Sequence, residues 1–250
     1  MKRHQSILEL MEKENYVSVQ QLCDFFKVSA VTIRKDLKLL ESKGLLFRTH
    51  GGATINDPYI NDRHVSEKEK FNVKEKEAIA TEAVKLISPN DSIIIASGTT
   101  MQTFAKALRI EETLNITTSS LNVSLELAKS PYYKILQLGG NIRHNSSSVT
   151  GYYSDVVLEN ISCHLLFLGV DGIDIDYGCS TTSLEEATLN KKMITSAQKV
   201  IVLADSSKFN KKGFGKICNL SDIHQIITDS KISNTLADKI RSRGIQLTIA

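Results

Sequence analysis

Apolar residues recur at helical spacing three times within the first 45 residues. Between Gln5 and Lys13, Ile7, Leu8, Leu10 and Met11 repeat every three to four positions, which gathers them on one face of a helix. Ser18-Val19-Gln20-Gln21 reads as a capping box, in which a serine hydroxyl and a glutamine side chain satisfy each other's orphan backbone amides. Leu22, Phe25 and Phe26 supply that second helix with its apolar face. After a tight break at Lys27-Val28, Ser29 is a good N-cap for a third helix running to about Lys43, with Gly44 as its stop. From Leu45 to Ala53 an apolar start, a basic pair and Gly51-Gly52 predict a short hairpin, or wing.

Residues 55–73 are polar and charge-rich with no clear apolar period, and read as a linker, partly helical at most. From Lys74 onward, helix-length segments alternate with short apolar runs. The pattern predicts helices over 75–87, 100–109, 121–129, 184–197 and 233–243, and strands over 92–96, 115–118, 134–138, 164–169, 199–204, 224–228 and 245–249. Continuously apolar strands separated by helices imply a mostly parallel sheet covered on both faces. The expected organisation is a small domain at 1–54, a linker at 55–73 and a larger α/β domain at 74–250.

On a helical wheel the third helix divides cleanly. Ala30, Ile33, Leu37 and Leu40 form one stripe; Val31, Arg34, Lys35 and Lys38 form the opposite one, with Thr32 at its flank. Such a basic face following a capped helix across a short turn suits the major groove of DNA. Arginine grips guanine with two bonds, lysine meets phosphate or guanine, and Ser29 and Thr32 can bond phosphate or base. Arg48 and His50 of the wing are placed to reach the adjacent backbone or minor groove. Charge distribution agrees: residues 1–54 hold nine Lys/Arg against six Asp/Glu, while residues 55–250 hold twenty-two of each. The whole excess of +3 therefore lies in the N-terminal fifth, as expected of a small nucleic-acid module joined to a neutral domain.

The segment also resembles a known family. Val17-Ser18-Val19-Gln20-Gln21-Leu22, Val28-Ser29, Thr32-Ile33-Arg34-Lys35-Asp36-Leu37, Gly44-Leu45-Leu46 and Arg48-Thr49-His50-Gly51-Gly52-Ala53 are similar in order and spacing to the DeoR family of bacterial regulators. That likeness implies a winged helix-turn-helix with its DNA-contacting part near residues 20–39.

In the larger domain, Ser97-Gly98-Thr99-Thr100 falls between a strand and a helix, where hydroxyls, backbone amides and a helix N-terminus can cradle a phosphate. Three further blocks each follow an apolar strand: Leu138-Gly139-Gly140-Asn141-Ile142-Arg143, Phe167-Leu168-Gly169-Val170-Asp171-Gly172-Ile173-Asp174, and Asp205-Ser206-Ser207-Lys208-Phe209. In a parallel sheet the carboxyl ends of strands share the edge where ligands bind. Arg143 and Lys208 would meet a phosphate there, and Asp171 and Asp174 sugar hydroxyls. The expected effector site is Ser97, Gly98, Thr99, Thr100, Gly139, Gly140, Arg143, Asp171, Gly172, Asp174 and Lys208.

These blocks resemble the DeoR C-terminal sensor domain, a fold similar to ribose-5-phosphate isomerase and coenzyme A transferases, which in that family senses a phosphorylated sugar or related metabolite. Two positions depart from the family's pattern: Ala96 stands where an acidic residue is common, and Thr118-Ser119-Ser120 where Thr-Asn-Ser is usual. The alternative, an isomerase-like enzyme with an accessory DNA module, lacks a part. The isomerase's lysine- and glycine-rich loop corresponds to Gly178-Cys179-Ser180-Thr181-Thr182 here, without lysine. Glu185-Glu186 and Lys191-Lys192 read as an exposed helix face.

The four cysteines, Cys23, Cys163, Cys179 and Cys218, are scattered and read as reduced thiols, with Cys179 in a polar loop. The histidines show no metal spacing. No apolar run spans a bilayer, and the N-terminus has no apolar signal region. The sequence thus predicts a cytoplasmic transcription regulator, more specifically a repressor, without cofactor, metal or catalytic role. Its expected partners are double-stranded operator DNA and a phosphosugar-type effector. Because one head makes few base contacts, a homodimer or homotetramer is expected.

Overall fold

The computed structural model describes the chain except Met1, Asn15, Gly44, His50, residues 55–61 and Arg63, and the side chains of Lys2 and Glu12. The expected helix stop at Gly44 and wing contact at His50 therefore lie outside the described residues. The chain divides into two compact units, residues 1–59 and 60–250.

The first unit contains α1 (Lys2–Glu14), β1 (Tyr16–Ser18), α2 (Val19–Phe26), α3 (Ala30–Ser42), β2 (Phe47–Thr49) and β3 (Gly52–Thr54). The capping box at α2 forms as expected: Gln21 N–H donates to Ser18 Oγ at 3.1 Å, and Ser18 N–H donates to Gln21 Oε1 at 2.8 Å. Lys27 ends the helix in the left-handed region, φ 54°, which reverses the chain within the three-residue turn to α3. The wing is an antiparallel sheet in the order β1-β3-β2. Sequence reasoning missed β1, a three-residue strand with no periodicity of its own. It explains Gly52, where a Cβ would stand 2.5 Å from the Val17 carbonyl oxygen of β1. Ile7, Met11, Leu22, Ile33, Leu37, Leu40 and Leu46 close the core.

The second unit begins with α4 (Val65–Lys68) and α5 (Val73–Val84), so part of the expected linker is folded onto it. Val65 is buried, and its N–H donates to the Asn145 carbonyl at 2.7 Å. There follow β4 (Ser92–Ile95), α6 (Thr99–Ala107), β5 (Leu114–Thr118), α7 (Leu121–Leu127), β6 (Tyr133–Gln137), β7 (Asn141–Arg143), β8 (Ser148–Thr150) and α8 (Tyr152–Glu159). Next are β9 (Cys163–Gly169), β10 (Gly172–Asp174), β11 (Gly178–Thr181), α9 (Leu184–Thr195), β12 (Ala197–Leu203), β13 (Gly215–Cys218), β14 (Gln225–Thr228), α10 (Asn234–Ser242) and β15 (Gln246–Ile249).

Seven strands form one sheet in the order β15-β14-β12-β9-β4-β5-β6, parallel throughout. The apolar run of β4 shows why such strands do not alternate: Ile93 and Ile95 enter one core with Phe104 of α6, and Ile94 enters the other with Met193 of α9. Two smaller sheets were not expected, the β7–β8 hairpin and the antiparallel β10-β11-β13. Cys179 lies in the latter, opposite Cys218, and is fully buried rather than in a polar loop. Its hydrogen bond with Cys218 and its burial push that thiol well above the usual range.

Candidate functional site

In the first unit, α3 presents the expected face. Ile33, Leu37 and Leu40 are buried, while Arg34, Lys35 and Lys38 are exposed and Val31 is 61% accessible. None of these three cations makes a hydrogen bond or ion pair among the described residues, so their charge is available to a polyanion. Ser29 caps α3, accepting from Thr32 N–H at 3.4 Å, and its hydroxyl lies 3.1 Å from Thr32 Oγ1. Arg48 is different. Glu41 of α3 takes its Nε at 2.9 Å and its backbone N–H at 3.0 Å, so the wing arginine is fastened to the end of α3.

Sequence reasoning missed Asp36, which lies between the two faces of α3 and is 8% accessible. It accepts from Arg3 Nε at 2.7 Å and meets His4 Nε2 at 2.9 Å. Burial acts to raise its pKa, but the hydrogen bonds and charges of Arg3 and His4 outweigh that and hold the carboxyl below its ordinary range. The contact fixes the rotation of α3 against α1. An acidic residue beside basic ones at a buried wheel position was the available signal.

In the second unit a cleft opens at the carboxyl ends of β4 and β9. It gathers Ser97, Gly98, Thr99, Thr100, Arg143, Asp171 and Lys208 from the expected set. Three residues of the Ser97–Thr100 turn meet the start of α6, whose N-terminus has no side-chain cap.

The cleft leaves out Gly139, Gly140, Gly172 and Asp174. At Gly140, with φ 141°, a Cβ would stand 2.3 Å from the Thr150 carbonyl oxygen; the glycine serves hairpin packing. Gly139 accepts from Ser154 Oγ at 2.6 Å. Gly172 pairs with Ser180 in the β10–β11 ladder. Asp174 Oδ1 accepts from the backbone of Asp176 and Tyr177 at 3.1 and 2.8 Å, closing the β10–β11 turn. Ala96 and Ser119, the two departures from the family pattern, are both buried beside the strands and do not line the cleft.

The cleft also contains residues that sequence reasoning did not select. Glu186, expected on an exposed helix face, is 6% accessible. It accepts from Ser148 Oγ at 3.0 Å, Arg143 Nη1 at 3.4 Å and Ser97 Oγ at 3.5 Å. Asp62 and Lys68 come from the expected linker. Lys68 Nζ lies 2.8 Å from Asp171 Oδ1, with Lys208 Nζ at 3.8 Å from the same oxygen. Burial would raise the Asp171 pKa, but both lysines and the Thr181 hydroxyl outweigh it and hold the carboxyl low. Asp62 is also held low: burial opposes, and hydrogen bonds from Asn145 and Thr182 together with Arg143 prevail. Lys76, nearly inaccessible, donates to the carbonyls of Lys68 and Phe71 at 2.7 Å each and so ties down the segment that carries Lys68. Charges this far apart in sequence carry no shared periodicity, so only the fold reveals their pairing.

Known proteins give the chain a family. Residues 3–59 match the DeoR-like helix-turn-helix domain, and residues 71–230 the DeoR C-terminal sensor domain. A relative from Escherichia coli O157:H7, whose name casts it as a transcriptional repressor of the aga operon, is 35% identical over 99% of this chain and 93% of its own length. The transcriptional regulator GolR of Listeria innocua is 30% identical over 99% of this chain and 98% of its own. The glycerol-3-phosphate regulon repressor of Escherichia coli K12 is 29% identical, over 99% and 98%. Among solved structures, a D-ribose-5-phosphate isomerase in complex with phospho-erythronic acid aligns with 55% of this chain and 54% of its own. The identity is 20% and the TM-score 0.42. The chain belongs to the DeoR family of transcriptional regulators.

Proposed function

We propose that the protein represses a carbohydrate-metabolism operon, reading its operator with α3 and the wing and answering to a phosphorylated sugar or related metabolite in the second unit. The observation that carries this reading is the cationic face of Arg34, Lys35 and Lys38, unpartnered among the described residues, on a helix whose other face buries Ile33, Leu37 and Leu40. Phosphate contacts position such a helix and arginine contacts to base edges specify it. Ser29 and Thr32 border that face, and Arg48 adds to it from the wing.

In the second unit, the turn at Ser97, Gly98, Thr99 and Thr100 receives the phosphate, Arg143 and Lys208 neutralise it, and Asp171 orients sugar hydroxyls. The reading is supported by the convergence of these residues on one cleft at the carboxyl edge of the sheet. The names of relatives that repress the aga operon or the glycerol-3-phosphate regulon point to the same class of metabolite. The ligand acts by preferring one conformation of the sensor, and its effect is bounded by that preference. Residues 1–54 serve as the DNA head, and the sensor unit, which carries self-association, presents two heads to two half-sites in the cytoplasm. The chain works by binding alone, without turnover.

Fluorescence anisotropy with the DNA upstream of the protein's own operon tests the head. Specific affinity well above that for scrambled DNA at physiological salt is expected, and equal affinities would overturn the reading. A thermal-shift screen of phosphorylated sugars tests the sensor, because a ligand stabilises the folded state with the logarithm of its concentration. Lys208→Ala is expected to keep DNA binding and lose the ligand response. Measurable isomerisation of pentose or hexose phosphates would overturn the binding-only reading.

A further inference from the structure

The cleft as it stands is narrow for a phosphosugar. Its open volume is about 60 Å³, whereas sites for small metabolites run to about 300 Å³ or more. Its charge is also spent. Three cations, Lys68, Arg143 and Lys208, face three carboxylates, Asp62, Asp171 and Glu186, and each cation is already paired. Arg143 is held between two of these carboxylates, so an anion that binds it competes with one of them.

Burial and anchorage decide which one. The Asp171 and Glu186 side chains are 14% and 8% accessible; one follows the central strand β9 and the other lies in the first turn of α9. Asp62 is 33% accessible and lies on irregular chain ahead of α4. Its carboxylate also holds what a phosphate would use: the Arg143 guanidinium, Asn145 Nδ2 at 2.8 Å and Thr182 Oγ1 at 3.0 Å. A cation and two neutral donors converging on oxyanions form a phosphate-binding set.

We propose that Asp62 is a built-in occupant of an anion subsite formed by Arg143, Asn145 and Thr182, and that the anionic group of the ligand evicts it. This rests on the cleft being the ligand site. Asp62 lies three residues ahead of Val65, the first residue of α4, so its eviction loosens the lead-in to that helix. The same contact sets the affinity, because a ligand that must first displace an internal competitor binds more weakly by the fraction of time the subsite is open.

The test uses the full chain and inorganic phosphate. Asp62→Asn keeps an acceptor for Thr182 and removes the competing charge; by calorimetry it should bind phosphate about tenfold more tightly than the unchanged protein. In the unchanged protein, phosphate should speed amide hydrogen exchange in the peptide spanning residues 62–70. That measurement decides the matter alone if the variant does not fold. Equal affinities, or exchange unaltered at saturating phosphate, would show that Asp62 is not displaced and overturn the proposal while leaving the cleft as a ligand site. Failure of phosphate to bind either protein also overturns it, and failure of phosphorylated sugars as well would remove the ligand reading itself.

Discussion

Arg34, Lys35 and Lys38 of α3 stand exposed without partners among the described residues, whereas Lys68, Arg143 and Lys208 of the cleft are each bound to a carboxylate. The two regions carry the same number of cations and use them oppositely. A DNA-reading face needs charge that is free before the polyanion arrives, because its affinity comes from neutralising phosphates and releasing their counterions. A metabolite cleft can hold its charge in internal pairs, and the ligand then competes for them. Such a cleft spends part of its affinity on rearrangement, and that rearrangement is what a sensor can transmit.

The head offers the largest test. Asp36→Ala removes the acceptor shared by Arg3 and His4 and should destabilise the first unit by about 2–3 kcal/mol, with loss of operator binding. Chemical denaturation of the full chain, followed through a probe in the first unit, measures it; unchanged stability would mean that Asp36 does not hold α3 in place. Arg34→Ala should next leave stability within about 0.5 kcal/mol yet cost about 1–3 kcal/mol of discrimination at one operator position. Competition binding against single-substituted operators reads this out, and a uniform loss over all sequences would reassign Arg34 to the phosphate backbone. Lys38→Ala should weaken all sequences alike and flatten the logarithmic salt dependence by about one.

The acid limb of stability sharpens the comparison with a smaller effect. Asp36, Asp62 and Asp171 are all held below their ordinary range in the folded protein. A depressed carboxyl contributes stability that is present above its unfolded pKa, near 3.9, and lost as pH falls through the folded value. Both units should therefore weaken below about pH 4, and Asp62→Asn should reduce that acid sensitivity in the second unit only. The smallest expected change is at the wing. Glu41→Gln unties Arg48, an exposed pair worth at most about 1 kcal/mol; a slight gain in non-specific DNA affinity is expected, and a loss would show that the pair positions the wing.

Legibility in the sequence followed the range of the interaction. The capped helix, the basic face of α3 and the seven strands of the main sheet rest on local periodicity or on uninterrupted apolar runs, and all were readable. The hairpin β7–β8 and the sheet β10-β11-β13 were not, since their strands are short and mix polar and glycine residues with apolar ones, leaving no apolar run to mark them. Seven of eleven expected cleft residues meet in one place because the carboxyl edge of a parallel sheet collects strand ends. The other four occupy the same blocks but serve turns and ladders: a glycine or an aspartate after a strand looks alike whether it faces a ligand or closes a hairpin.

By itself, then, the sequence determined the two-part organisation, the exposed basic face of α3, the parallel sheet and the strand-end edge where the cleft lies, because these follow from spacing along the chain. Only the tertiary structure decided how the charges are spent. Asp36 against Arg3, Glu41 against Arg48, Asp171 against Lys68 and Arg143 between Asp62 and Glu186 join residues on different elements. Electrostatic partnership depends on distance in space, which the folded core sets and no periodicity encodes.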